Sequence, residues 1–166
     1  MADGDEFDEF YRVTARRTLQ YAYAVTGDLG TAQDLTQEAY VRAWQRWRSV
    51  RGYEHAESWL RLVVSRLASD RWRHLAVRRR FQHSAQPAPP VPPPSEDTVL
   101  LTGALRQLPM QQRRALALHY LLDLPVSQIA AETGAAEGTV KSWLARGRTA
   151  LAAMLAQAQE EERHHV

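Results

Sequence analysis

The run Leu124-Pro125-Val126-Ser127-Gln128-Ile129-Ala130-Ala131-Glu132-Thr133-Gly134-Ala135-Ala136-Glu137-Gly138-Thr139-Val140-Lys141-Ser142-Trp143-Leu144-Ala145-Arg146-Gly147-Arg148 sets two helical periods on either side of a glycine. Ile129 and Ala130, with Thr133 one turn later, mark a short helix. Gly134 supplies the residue type that tolerates positive φ after a helix end. A second helix starts near Glu137, with Val140 and Leu144 four apart and Leu151 seven further on. Helix, tight glycine turn, helix is the helix-turn-helix pattern, whose second helix enters the major groove. The face not used by Val140, Leu144 and Leu151 carries Lys141, Ser142, Arg146 and Arg148, and no acid stands between Gly138 and Arg148. Cations for phosphates and a fork donor and hydroxyl for base edges are what a DNA-reading helix needs. The plainer reading of the same residues is an amphipathic helix with a solvated basic face.

Outward from that run, the chain has 166 residues, enough for one ordinary domain or two small ones. Its 45% hydrophobic and 24% charged residues are those of a soluble globular protein. No run of apolar residues is long enough to span a membrane. The N-terminus, with Asp3, Asp5, Glu6, Asp8 and Glu9, is acidic and lacks an apolar signal core, which argues against secretion. The absence of cysteine excludes disulfides and thiolate zinc sites. A net charge of +2 does not by itself imply nucleic acid, but five arginines and no acid lie between Arg71 and Arg80. That local field attracts phosphate where the average does not; a solvated arginine-rich helix end has the same composition.

Taken in order, Phe7, Phe10, Tyr11, Thr14, Tyr21 and Val25 fall at helical spacing, predicting an amphipathic helix from about Asp5 to Val25. Thr26 to Gly30 reads as a turn. Thr31 with Asp34 fits a capping arrangement opening a second helix through Leu35, Ala39 and Ala43 to about Trp47. Arg48 to His55 reads as a loop. A third helix runs from about Glu57, with Trp59, Leu62, Val63 and Leu67 on its apolar stripe. Trp59 and Trp44 are therefore expected in the core. Gln86 to Pro94 then holds six of the chain's eight prolines, an extended linker on the order of 28 Å at about 3.1 Å per residue. After it, Ser95 or Asp97 caps a helix through Leu108, and Pro109 starts another to about Leu122. The tail from Gln157 is polar and expected to fray. No internal repeat is seen. The fold class expected is all-α: two small helical domains, 1–83 and 97–166, joined by a Pro-rich linker, 84–96, with the helix-turn-helix in the second.

Asp34, Gln37 and Glu38 share one helix face at i, i+3 and i+4. Paired carboxylates can bind metal or do acid–base work, but no histidine stands near in sequence and nothing else in the setting is catalytic, so a solvated acidic face is the plainer reading. The six histidines are scattered, and His164 and His165 belong to the polar tail.

The two halves together resemble a known family. Ile129-Ala130, Glu137-Gly138-Thr139-Val140-Lys141-Ser142 and Arg146-Gly147-Arg148 are similar to region 4 of the extracytoplasmic-function (ECF) sigma factors of bacterial RNA polymerase. Gly27-Asp28, Ala32 to Tyr40 and Arg42-Ala43-Trp44, followed by Ser58 to Val64 and Leu67 to Arg71, are similar to region 2. The resemblance covers about 5–80 and 97–155 in the family's order, and the joint occurrence is its specific feature. It implies a sigma factor, not an enzyme, that binds core RNA polymerase, places region 2 on the −10 element and region 4 on the −35 element, and helps melt the promoter. Asp34, Gln37 and Glu38 then correspond to the face that docks on the clamp helices of the largest subunit, where opposite charge fixes register. Arg48, Arg51 and Tyr53 correspond to the loop that captures an unpaired −10 base, with charge for a single strand and a stacking face. Arg66, Asp70, Arg71 and Arg73 lie on the −10 helix. Gly138, Thr139, Lys141, Ser142, Ala145, Arg146 and Arg148 correspond to the −35 interface, with Arg148 on the DNA backbone. Arg66 stands where the family usually has asparagine, Trp143 where it often has arginine, and Pro125 where it has a small hydroxyl cap; these departures bear on the promoter sequence. The resemblance implies a cytoplasmic protein with no cofactor, no metal and no membrane partner; many members of the family have an anti-sigma factor. Two rival readings are a helix-turn-helix regulator acting without polymerase, which gives Asp34, Gln37 and Glu38 no role, and a DNA-processing enzyme, which needs a nucleophile or metal cluster not found here.

Overall fold

Alternation of apolar and polar residues at helical period, with no strand pattern anywhere, produces a chain whose regular elements are all helical among the described residues. A computed structural model describes residues 2–78 and 94–165, and side chains for 2–71 and 94–165. The chain divides into two compact units, Met1–Val91 and Pro92–Val166. Most of the expected linker, 84–96, lies outside the described residues.

The first unit is built from α1 (Ala2–Thr26), α2 (Leu29–Gln45), the single turn α3 (Trp47–Val50) and α4 (Ala56–Arg78). Its core is Tyr21, Ala22, Val25, Ala32, Leu35, Ala39, Tyr40, Ala43, Trp47, Val50, Leu60, Val63, Val64 and Ala68. Buried hydroxyls tie the helices to one another. Thr14 Oγ1 lies 2.6 Å and Thr18 Oγ1 3.2 Å from the Tyr40 hydroxyl, joining α1 to α2. Tyr21 Oη lies 2.6 Å from Ser65 Oγ, joining α1 to α4.

Several expectations shift by a residue or two. The cap of α2 is Asp28, whose carboxylate accepts from Thr31 N at 2.9 Å and Thr31 Oγ1 at 2.7 Å; Thr31 is the residue being capped, and Asp34 takes no part. An aspartate in extended backbone is a good acceptor for the first-turn N–H groups, so it wins the position. The expected loop 48–55 begins as helix, because Trp47 and Val50 continue the inward stripe of Ala39 and Ala43 and are both buried. Trp44 falls off that stripe and is 50% exposed, not core. In α4 the inward face is Leu60, Val63, Val64 and Ala68, one residue on from the stripe read from sequence, and Trp59 is half-buried. The Tyr21–Ser65 bond fixes this rotation. Tyr11 lies at the rim, edge-on to Tyr40 with ring centroids 4.7 Å apart.

The second unit comprises α5 (Glu96–Arg106), α6 (Met110–Leu116) running into a π-helical turn at Ala117–Leu121, α7 (Val126–Thr133) and α8 (Glu137–His164). Ser95 caps α5, accepting from Thr98 N at 3.2 Å. Arg113 is buried, and its Nη2 donates to the carbonyl of Arg106 at 3.2 Å, at the end of α5, and to that of Leu108 at 2.9 Å, just past it. Burial, and then the charge of Arg106, lower its pKa from the usual guanidinium value. Gly134 adopts φ 75°, and its N–H bonds to Ala130 O at 2.9 Å, giving the tight turn between α7 and α8. Gly147 is the crossing point of α8 over α6: a Cβ there would lie 2.9 Å from Leu116 Cδ1 and 3.2 Å from its Cγ. The polar tail from Gln157 continues α8 to His164.

Candidate nucleic-acid interface

In α8, Val140, Leu144 and Gly147 turn inward and are buried, while Leu151 is half-buried. That rotation leaves Gly138, Thr139, Lys141, Ser142, Ala145, Arg146 and Arg148 exposed. Trp143 is half-buried. Among the described residues no carboxylate pairs with Lys141 or Arg146, so their charges face solvent. Arg148 differs: its Nη1 donates to the Tyr120 hydroxyl at 3.1 Å. Tyr120 stands in the π turn and is 54% exposed, and His119 Nδ1 lies 2.9 Å from Leu124 O just beyond that turn. Sequence periodicity does not signal such a turn, and Tyr120 was not among the expected site residues. The geometry is that of a basic, acid-free helix face presented by a tightly turned hairpin, suited to lying along a DNA groove.

In the first unit, α2 presents Gln37 and Glu38 to solvent and Asp34 half-exposed, on the side away from Leu35 and Ala39. Arg42 Nε donates to Glu38 Oε1 at 3.0 Å. Asp34 Oδ2 lies 3.8 Å from Arg71 Nη1, so α2 and α4 meet through one residue from each expected surface. Arg66 and Asp70 are exposed one turn apart on α4; the side chain of Arg73 lies outside the described residues. Arg48, Arg51 and Tyr53 are all exposed around the α3 turn, and the Tyr53 ring stands 6.5 Å from that of half-buried Trp59. Trp59 is thus placed beside the loop and not in the core.

The structure adds partners for the loop that the sequence did not suggest. Arg51 Nη1 donates to Asp3 Oδ1 at 2.5 Å and lies 3.5 Å from Glu6 Oε2. Arg48 Nε lies 3.9 Å from Asp3 Oδ2. Tyr40, desolvated by burial, has its pKa raised above the usual phenol value, against the lowering effect of its bonds to Thr14 and Thr18.

Residues 10–78 match the model of sigma-70 region 2, and residues 98–151 that of sigma-70 region 4. The chain is 31% identical to a protein of Mycobacterium tuberculosis (strain CDC 1551 / Oshkosh) called ECF RNA polymerase sigma factor SigC, over 91% of this chain and 84% of the relative. It is 30% identical to the RNA polymerase sigma-E factor of Streptomyces coelicolor, over 85% of this chain and 81% of that one. Among solved structures, the sigma factor RpoE of Bartonella quintana, crystallised with the anti-sigma factor NepR, has the same fold: TM-score 0.72, 23% identity, covering 91% of this chain and 97% of that one. Two matched regions in the family's order, on a helical scaffold with an exposed basic recognition helix, establish that this chain belongs to the extracytoplasmic-function sigma factors of the sigma-70 family, the promoter-recognising subunits of bacterial RNA polymerase.

Proposed function

We propose that the chain divides promoter recognition between residues 1–83, which meet core polymerase and the −10 element, and residues 97–166, which meet the −35 element, with 84–96 between them. The observation that carries this reading is the outward face of α8, acid-free from Gly138 to Arg148 above a buried seam of Val140, Leu144 and Gly147. Lys141, Ser142 and Ala145 occupy the N-terminal half of the helix, which approaches base edges most closely. Arg146, one turn on, can serve a base edge or a phosphate, and Arg148, two turns on, lies where phosphates do. In the first unit, Arg66, Asp70, Arg71 and Arg73 on α4 and Arg48, Arg51 and Tyr53 at the α3 turn serve the melted −10 strand. Asp34, Gln37 and Glu38 dock on the clamp helices of the largest subunit. Sigma factors as a class are initiation factors without a reaction of their own, and this chain is read as no enzyme, working with polymerase in the cytoplasm. Among the described residues no helix is long and apolar enough to cross a membrane. An anti-sigma factor is a candidate partner, since the Bartonella relative was crystallised with one.

The test is reconstitution. The chain mixed with core polymerase should start specific run-off transcripts from genomic fragments. Reversing Asp34 and Glu38 to Lys should abolish co-elution with core enzyme while helix content stays, because lost complementarity and new repulsion together cost several kcal/mol. Undiminished co-elution of the folded double variant would remove Asp34 and Glu38 from the docking face.

A further inference from the structure

The acidic start of α1 has no part in the recognition scheme above, yet two of its carboxylates, Asp3 and Glu6, lie against the segment assigned to the melted strand. Asp3 spans both arginines of that segment, Oδ1 to Arg51 and Oδ2 to Arg48, and Glu6 adds a second carboxylate at the same Arg51 Nη1. Two carboxylates against two guanidiniums offset the positive charge that Arg48 and Arg51 would otherwise present. Asp3 also lines a recess of about 560 Å³ together with Trp44, Arg46, Trp47, Arg48 and Ser49. The half-exposed indole of Trp44 offers a stacking face in that recess, beside the same arginines.

We propose that Asp3 and Glu6 are internal competitors of the non-template strand, and so determine how tightly, and up to what salt concentration, the −10 single strand is held. The inference rests on the reading of Arg48 and Arg51 as strand-binding groups. Phosphate oxygens and carboxylate oxygens need the same N–H donors, so a strand phosphate reaching Arg51 Nη1 must displace Asp3 or Glu6. Arg51 Nη1 already faces two carboxylates, so this donor is engaged before a phosphate arrives. Asp3 and Arg51 are each about 40% exposed, so every pair is individually weak and reversible. The acids therefore tune strand affinity without blocking it.

The experiment uses holoenzyme assembled from one preparation of core polymerase and the full chain, so differences between samples belong to the sigma factor. The probe is a short fluorescent single-stranded oligodeoxynucleotide of mixed sequence, titrated from low to physiological salt. Asp3→Asn/Glu6→Gln should bind roughly three- to ten-fold tighter at low salt, with the log–log salt slope steeper by about 0.7 for each arginine that gains a phosphate. That gain should vanish when Arg48→Ala and Arg51→Ala are added. Equal or weaker binding by the neutralised chain, where Arg48→Ala/Arg51→Ala alone weakens binding, overturns the competition and leaves the strand-binding reading standing. No effect of Arg48→Ala/Arg51→Ala overturns both. Both acids stand on the outer side of the first two turns of α1, outside the buried core, so the amide variants leave the core untouched.

Discussion

At the scale of single residues, the division between reading and clamping on α8 follows from rotation about the helix axis. Val140 and Leu144 are at most 3% exposed, so the residues beside them have no choice of direction. Lys141 and Ser142 then face outward at the end of the helix nearest the turn, without acid partners among the described residues. Arg148 lies two turns on and is held by the Tyr120 hydroxyl, which fixes its guanidinium over the π turn. A base-edge contact contributes about 1–3 kcal/mol of discrimination, whereas a phosphate contact acts on all sequences alike. Lys141→Ala should therefore change the preferred −35 sequence, and Arg148→Ala should lower affinity uniformly and reduce the salt slope by about 1. Binding to a library of −35 duplexes at two salt concentrations reads both. A Lys141→Ala chain with unchanged preference and a shallower slope would make Lys141 a clamp and not a reader.

At the scale of elements, the packing of α1 against α2 depends on a polar contact inside an apolar seam. Thr14 Oγ1 donates to Phe10 O at 2.7 Å and Thr18 Oγ1 to Thr14 O at 3.0 Å, so both hydroxyls have spent their only proton. Tyr40 must then donate to Thr14 at 2.6 Å, and burial, outweighing the lowering effect of the bonds to Thr14 and Thr18, favours the neutral phenol. With the folded pKa raised, the stability this group contributes is fully present below the unfolded phenol value of about 10 and is lost as pH rises through the folded value. Tyr40→Phe should cost about 0.5–1.5 kcal/mol at neutral pH, one hydrogen bond. The gap between the two chains should narrow above about pH 10, where only the parent must keep a phenol protonated. Urea unfolding of both from neutral to strongly alkaline pH measures it; a constant gap would mean that Tyr40 titrates alike in both states.

At the scale of the whole molecule, a net charge of +2 conceals opposed local fields: acids at the start of α1 and on α2, bases on α4 and α8. Each unit also closes a core of its own, Tyr21, Leu60 and Val64 in the first and Leu118, Ile129 and Val140 in the second. Units of this size are near the lower limit for independent folding and should be of modest stability. Fragments 1–83 and 97–166 made separately should each unfold cooperatively, and their summed far-ultraviolet circular dichroism should match that of the whole chain. A fragment with no cooperative transition would show that its core needs the other unit.

The all-helical class, the glycine-turned hairpin and the inward pair Val140 and Leu144 were legible in the sequence, because each depends on local spacing and on the backbone freedom of one residue, Gly134. The direction of Lys141, Ser142 and Arg146 followed from the same period. Rotation to within one residue was not legible in α2 and α4. There, hydrogen bonds and contacts between helices, Tyr21 to Ser65 among them, decide which aromatic turns inward, so Trp47 is buried while Trp44 and Trp59 are not. Nor could sequence show the packing role of Gly147, which exists only because α6 passes against α8. The pairing of Asp3 with Arg51 joins residues 48 apart, and only the antiparallel return of α2 along α1 brings their charges together.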